Sequence, residues 1–206
     1  MCQKTKTVYR SSEQDWQTMI RKSAQIILLI LAASALGCTF HIQPVVSEKV
    51  FANPPERIAA NVLLKVPDDF WEFEYVASYE GREIRYFLGR SAWENIPALF
   101  RAMFSSASMA DDVGENPKYD WIATLRWGQQ NSYVRPFVFG IETNLQVDFV
   151  SYDSKKSFST SAKGKGEAHA YTQSSLQSAG DDGMRELMIN LQERILSKEQ
   201  LFVLEK

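Results

Sequence analysis

The chain has 206 residues, 45% of them hydrophobic and 23% charged, which suits one globular domain and excludes a disordered or collagen-like chain. A formal charge of −2 argues against a general nucleic-acid-binding surface, because backbone phosphates demand a basic face. Two cysteines and two histidines leave no zinc ribbon, no Cys/His cluster and no disulfide framework, so neither a metal nor a cofactor is expected.

The N-terminal stretch carries the strongest signal. Arg21 and Lys22 precede an apolar run, Ile26 to Ala33, followed by the small residues Ser34, Ala35 and Gly37 and then Cys38. A basic start, a short apolar centre and a small-residue exit are the parts of a secretory signal. Met19-Ile20-Arg21-Lys22 would itself serve as a signal start, so residues 1–18 are either a long basic lead or lie upstream of the true initiator.

The segment Ala35-Leu36-Gly37-Cys38 resembles the bacterial lipoprotein lipobox, with Ala where Leu is commoner at the first position. The resemblance implies a thioether-linked diacylglyceryl group on Cys38, cleavage before it, and acylation, commonly by palmitate, of the new amino terminus. Several acyl chains anchor far more firmly than one. Thr39, not Asp, follows the cysteine, which by the sorting habit of enterobacterial lipoproteins implies the outer membrane, with the periplasmic side of the inner membrane as the alternative. Two alternatives stay open. Ala24 to Ile42 lacks acidic and basic side chains apart from His41 and is long enough for an uncleaved transmembrane anchor, or the run is a buried helix. An anchor of either membrane kind leaves the remainder outside the cytoplasm, because the positive flank stays inside.

The expected organisation is a signal over residues 1–37, a lipidated Cys38 with an extended tether to residue 57, and one domain over 58–206. Cleavage before Cys38 leaves 18 basic and 23 acidic residues, a mildly acidic body with no polybasic surface for anionic lipid. The tether reading rests on Pro44, Pro54 and Pro55 among Gln43, Ser47 and Asn53, although Val45, Val46, Val50 and Phe51 could dock it.

Ile58 to Val66 predicts a first strand and Glu83 to Gly89 a second, with Asp68 to Gly81 between them as a short strand or an aromatic flap. Ile96, Leu99, Phe100, Met103 and Phe104 form one helical stripe, with Ser91 and Glu94 as a possible capping box, or Pro97 near the first turn if the helix starts near Asn95. A polar loop, Ser105 to Lys118, leads to strands over Tyr119 to Trp127 and Val138 to Tyr152. The second of these places Ile141, Thr143, Leu145, Val147 and Phe149 on one face. A turn at Tyr152 to Lys156 reverses the chain into Phe158 to Tyr171, whose one face is small: Ala162, Gly164, Gly166, Ala168. The final helix, Ser175 to Ser197, has its own small start at Gly180 and Gly183, so it is expected to cross this strand closely. The fold class is therefore α+β, a two-layer sandwich with a mainly antiparallel sheet and two helices on one face.

No catalytic residues emerge. Gly164-Lys165-Gly166 lacks the third glycine and the helix start of a dinucleotide loop, and reads as packing. His169 falls on the solvated face and His41 in the tether. The pairs Asp68-Asp69, Asp111-Asp112 and Asp181-Asp182 match no calcium loop and read as turn and cap residues. Phe70, Trp71 and Phe73 beside Pro67 are a possible exposed contact with a partner.

A lipobox, a tether and a helix-and-sheet sandwich resemble, in organisation, the small envelope lipoproteins of the lipopolysaccharide-assembly (LptE) and YajG types. The likeness covers Cys38 and the order of elements over roughly 58–197. It implies a non-enzymatic accessory or scaffold role in an outer-membrane assembly or transport system, with the membrane and an envelope protein as partners and no nucleic acid. The competing readings are a module binding lipid, glycan or peptidoglycan in a pocket lined from Phe70 to Tyr75, Trp121 and Trp127, and a periplasmic hydrolase built around His169.

Overall fold

The computed structural model describes residues 39–46, 54, 56–110 and 119–202. In chain order these form β1 (Thr39–Ile42), β2 (Ile58–Lys65), β3 (Tyr75–Tyr79), β4 (Arg82–Tyr86), α1 (Leu88–Met103), β5 (Phe104–Met109), β6 (Trp121–Trp127), β7 (Asn131–Arg135), β8 (Val138–Ser151), β9 (Ser157–Ala168) and α2 (Gln173–Leu196). A 3₁₀ turn, Glu199–Phe202, closes the described chain. Two helices and mixed sheets make the α+β sandwich that the periodicity predicts.

The larger sheet runs β5-β2-β6-β8, with β9 on the far side of β8. Strand β7 continues the line of β6 along β8: Trp127 pairs with Leu145 and Asn131 with Glu142, so one extra residue is accommodated between them. The side chain of Gln130 fills that bulge. Its amide nitrogen donates to the Asn144 carbonyl at 2.9 Å and its oxygen accepts from the Asn144 N–H at 3.0 Å, imitating the missing peptide.

The sheet is not a plain antiparallel meander. Strand β2 runs parallel to both β5 and β6, and only β6 to β9 form the antiparallel part. The excursion through β3, β4 and α1 returns the chain beside β2 in the same direction, as a parallel pair requires. The smaller sheet, β1-β4-β3, joins β1 parallel to β4 and turns β3 into β4 through Glu80 and Gly81. Both turn residues have positive φ, 47° and 74°, the backbone of a tight two-residue hairpin.

One face of the large sheet is buried. On β8 the inward residues are Ile141, Thr143, Leu145, Val147 and Phe149, as the alternation predicts. Strand β9 contributes Thr160, Ala162, Gly164, Gly166 and Ala168, and α2 lies directly on it. A β-carbon on Gly166 would overlap the carbonyl oxygen of Ala179, and one on Gly164 that of Gly183. The small-residue strand and the small-residue helix start therefore meet backbone to backbone, the close crossing expected of them.

Helix α1 begins at Leu88, about seven residues earlier than the Asn95 start. Ser91 is consequently not a cap: it is buried inside the helix, and its hydroxyl donates to the carbonyl of Pro44. Pro97 lies in the helix interior, where it can give no N–H to the preceding turn. The predicted stripe of Ile96, Leu99, Phe100 and Met103 is fully buried, and the chain passes without a loop into β5. At the far end of the sheet Phe104, Phe149, Phe158 and Trp121 close around Phe202, to whose carbonyl the Trp121 indole donates at 3.3 Å.

Strand β9 is an edge, and α2 closes it. Ser159 and Lys163 carbonyls accept from Lys198 and Asn190, and the Lys165 N–H donates to Glu186 at 2.9 Å. These bonds occupy three of the backbone groups that another chain would pair with. On the outer face Glu142 accepts from Lys163 at 2.7 Å and faces Lys165 at 3.3 Å. The hydrogen bond from Lys163 is the main reason its carboxyl is held below the usual range, against the opposing effect of burial. The Ser159 hydroxyl does the same for Asp148. A carboxylate whose folded pKa is depressed stabilises above its unfolded pKa, and that contribution fades as pH falls through the folded value. Glu142→Gln is therefore expected to lower stability at pH 7 by at most about 1 kcal/mol and to make no difference near pH 2.5, which urea titrations at the two pH values check.

Candidate functional site

Cys38 and residues 1–37, the stretch expected to be a signal, lie outside the described residues, but Thr39, the next residue, opens β1. Thr39 to Ile42 pair in register with Glu83 to Tyr86, and the Phe87 N–H donates to the Ile42 carbonyl at 2.9 Å. The other side of the segment is held by α2. Gln173 donates to the His41 carbonyl at 2.7 Å, Gln177 to the Gln43 carbonyl at 2.6 Å, and Asp181 accepts from the Val45 N–H at 2.7 Å. These three side chains recur every fourth residue and so form one polar stripe along the helix. Gly180 brings the helix close: a β-carbon there would lie 2.9 Å from Ile42, which is fully buried.

This corrects the tether reading of residues 38–57. The segment is extended, but residues 39–46 are docked on both sides, and the ordered domain begins one residue after Cys38 and not at Ile58. Residues 47–53 and 55 lie outside the described residues. The proline-rich composition concealed a strand whose pairing partner is more than forty residues away. The polar stripe on α2 was the sign that something lay against it.

The expected contact trio is only partly at the surface. Phe70 is 3% exposed and stacks on Trp127 at 5.0 Å, so it belongs to the core; the Trp127 indole donates to its carbonyl at 3.0 Å. Phe73 is half-buried and stacks on Trp127 as well, at 5.2 Å. Trp71 is half-buried and meets the edge of Trp93 at 4.8 Å. Trp93 is 54% exposed and is the outward part of the patch. It is held by α1, whose start is pressed against this segment: a β-carbon on Gly89 would lie 2.6 Å from the Phe70 carbonyl. Sequence reasoning missed Trp93, and the available sign was a large aromatic standing off the helix's apolar stripe.

The aromatic pocket does not assemble. Trp121 and Trp127 occupy opposite ends of β6, and Trp121 is fully buried against Phe202. A groove of about 550 Å³ between β9 and α2 has a largely polar lining, Lys163, Asn190, Glu193, Arg194 and two serines.

His169 and His41 are both exposed, the latter beside the Phe87 ring at 5.7 Å. Asp68 and Asp69 sit exposed in a turn, Asp181 serves Val45, and Asp182 pairs with Arg185 at 2.9 Å. Asp111 and Asp112 lie outside the described residues. Among the described residues no three His, Cys, Asp or Glu side chains converge as a metal site.

No family model matches the sequence. No curated protein matches it either. Among solved structures, the chain is similar to a Xanthomonas campestris protein of the DUF330 family at 8% identity, covering 79% of this chain and 99% of that one, TM-score 0.48. It is similar to a putative lipoprotein of Caulobacter crescentus at 10% identity, covering 68% and 89%, TM-score 0.37. A lipoprotein of Neisseria meningitidis, 10% identical, is similar over 76% of this chain and 99% of its own, TM-score 0.34.

Proposed function

We propose that the chain is a lipid-anchored envelope lipoprotein, attached at Cys38 to the periplasmic side of the outer membrane, where it serves as a non-enzymatic accessory or scaffold subunit of an assembly or transport system. The observation that carries this reading is the junction itself: a segment resembling a lipobox ends at Cys38, and a strand paired along its whole length with β4 begins at Thr39. A signal peptidase product starting there would enter its fold at once, with nothing of the domain lost. The exposed Trp93, backed by Trp71, is the surface offered to a protein partner, since Trp is among the residue types enriched at the hot spots of desolvated interfaces.

Two substitutions test the reading. Cys38→Ala is expected to abolish both acylation and cleavage before residue 38, leaving a longer, unmodified chain that mass spectrometry distinguishes from the acylated one. Trp93→Ala is expected to leave folding within about 1 kcal/mol, because the residue is mostly exposed, yet to weaken a co-purifying envelope partner roughly 30-fold, the loss of a hot spot of about 2 kcal/mol. An unsubstituted protein whose N-terminal peptide is, like that of the Cys38→Ala protein, uncleaved and without acyl chains would refute lipid anchoring. Unchanged partner recovery with Trp93→Ala would refute the assigned contact.

A further inference from the structure

Resting on the anchoring reading, we propose that one end of the domain lies directly against the bilayer and that Phe137, at the β7–β8 hairpin tip, inserts into the lipid interface. Phe137 is 91% exposed and has φ 65°, while Val134 beside it is 50% exposed. The turn spans Pro136 and Phe137 between the paired Arg135 and Val138, and its second position demands the left-handed backbone that glycine or asparagine adopts freely. A phenylalanine there carries backbone strain and, at 91% exposure, packs on little among the described residues. Glycine would serve the turn better, so the use of the ring lies outside the described fold.

The register places this tip level with Thr39, the residue that follows Cys38 in the sequence. Gly166 of β9 pairs with Ile141 and touches Ala179 of α2. From that level, Phe137 is four strand residues outward, about 13 Å. Along the helix Gln173 is six residues outward from Ala179, and it holds His41, two strand residues from Thr39, which gives about 16 Å in the same direction. The two ends are joined across the domain: Phe139 meets Tyr171 at 5.9 Å, Tyr171 stacks on Tyr79 at 4.1 Å, and Tyr79 begins the hairpin that returns to pair with Thr39.

The pairing of β1 from its first residue, Thr39, supplies the occupant. Because β1 is fixed from Thr39 onward, acyl chains on Cys38 hold this end within a few ångströms of the head groups, and the surface that meets the membrane is set by the fold. Aromatic side chains favour that interfacial depth, and Arg135, whose guanidinium lies 5.0 Å above the Tyr133 ring, is placed to reach lipid phosphates. The Trp71–Trp93 patch adjoins Trp127, which pairs with Leu145, roughly 25 Å along β8 from Phe137. It therefore stays clear of the membrane for a protein partner.

The test uses the acylated protein purified from envelopes after expression of the whole chain in a Cys2→Ser background, reconstituted into phosphatidylethanolamine and phosphatidylglycerol vesicles with doxyl-labelled acyl chains. An environment-sensitive fluorophore is attached through Phe137→Cys or, at the opposite turn, Lys155→Cys. Both proteins are expected to float with the vesicles, with the label at 137 blue-shifted and quenched at least threefold more by doxyl lipid than the label at 155. Flotation with equal, weak quenching at both positions overturns the membrane-facing assignment while leaving the anchor intact. A blue-shifted label at 137 that doxyl lipid does not quench overturns it in favour of a protein contact. Failure to float overturns the anchor and this proposal together.

Discussion

Gly166→Ala is expected to destabilise the domain by about 3 kcal/mol or more, at the upper end of overpacking costs. The added β-carbon would overlap the carbonyl oxygen of Ala179 and stand 2.6 Å from its carbonyl carbon. Both are backbone atoms of α2, so no side-chain rotation relieves the contact, and the helix must lift from β9. That lift would open the buried layer of Ile141, Ala162, Leu187 and Leu191. With a urea slope of about 2 kcal/mol per molar, the midpoint should fall by roughly 1.5 M. Gly183→Ala is the matched control. Its β-carbon would meet nothing nearer than 3.4 Å, and alanine is favoured over glycine in a helix by about 1 kcal/mol, so the midpoint should hold or rise. Equal losses from the two substitutions would show that the crossing is not as close as described.

Ile42→Ala is expected to cost about 3 kcal/mol, within the range for deleting a buried branched side chain. Ile42 is fully buried between β4 and α2, in contact range of Gly180. In a free tether the same substitution would change stability by a few tenths of a kcal/mol. Urea unfolding followed by tryptophan fluorescence separates the two cases. A midpoint equal to that of the unsubstituted protein would return residues 39–46 to the status of a linker and remove the basis for a fixed membrane-facing end.

The parts of this fold that could be read directly are those whose residues report their own surroundings. Along β8 the polar and apolar residues alternate because each face meets a different medium, and the buried set matches the alternation residue for residue. The glycines of β9 announce close approach because nothing else explains small residues in a strand interior. What escaped was set by distant neighbours. Strand β5 is Phe-Ser-Ser-Ala-Ser-Met, a sequence with little strand character, and it pairs because β2 presents a free backbone edge beside it. Strand β7 is short and holds its register through the Gln130 side chain. Strand β1 hid among prolines.

The candidate site divides in the same way. The expectation at Cys38 rests on a local motif, and that residue lies outside the described ones. The contact trio depended on tertiary packing, which turned Phe70 inward onto Trp127 and brought Trp93 outward beside Trp71 from a helix twenty residues later. Phe137 belongs to a turn whose backbone strain has no sequence signature beyond the preceding proline.

The most direct test of the account is mass spectrometry of the N-terminal peptide of the C-terminally tagged protein purified from detergent-solubilised envelopes. The account predicts a peptide that starts at Cys38, bears a thioether-linked diacylglyceryl group and continues into Thr39-Phe40-His41. An unmodified chain running uncleaved through Cys38 would contradict it.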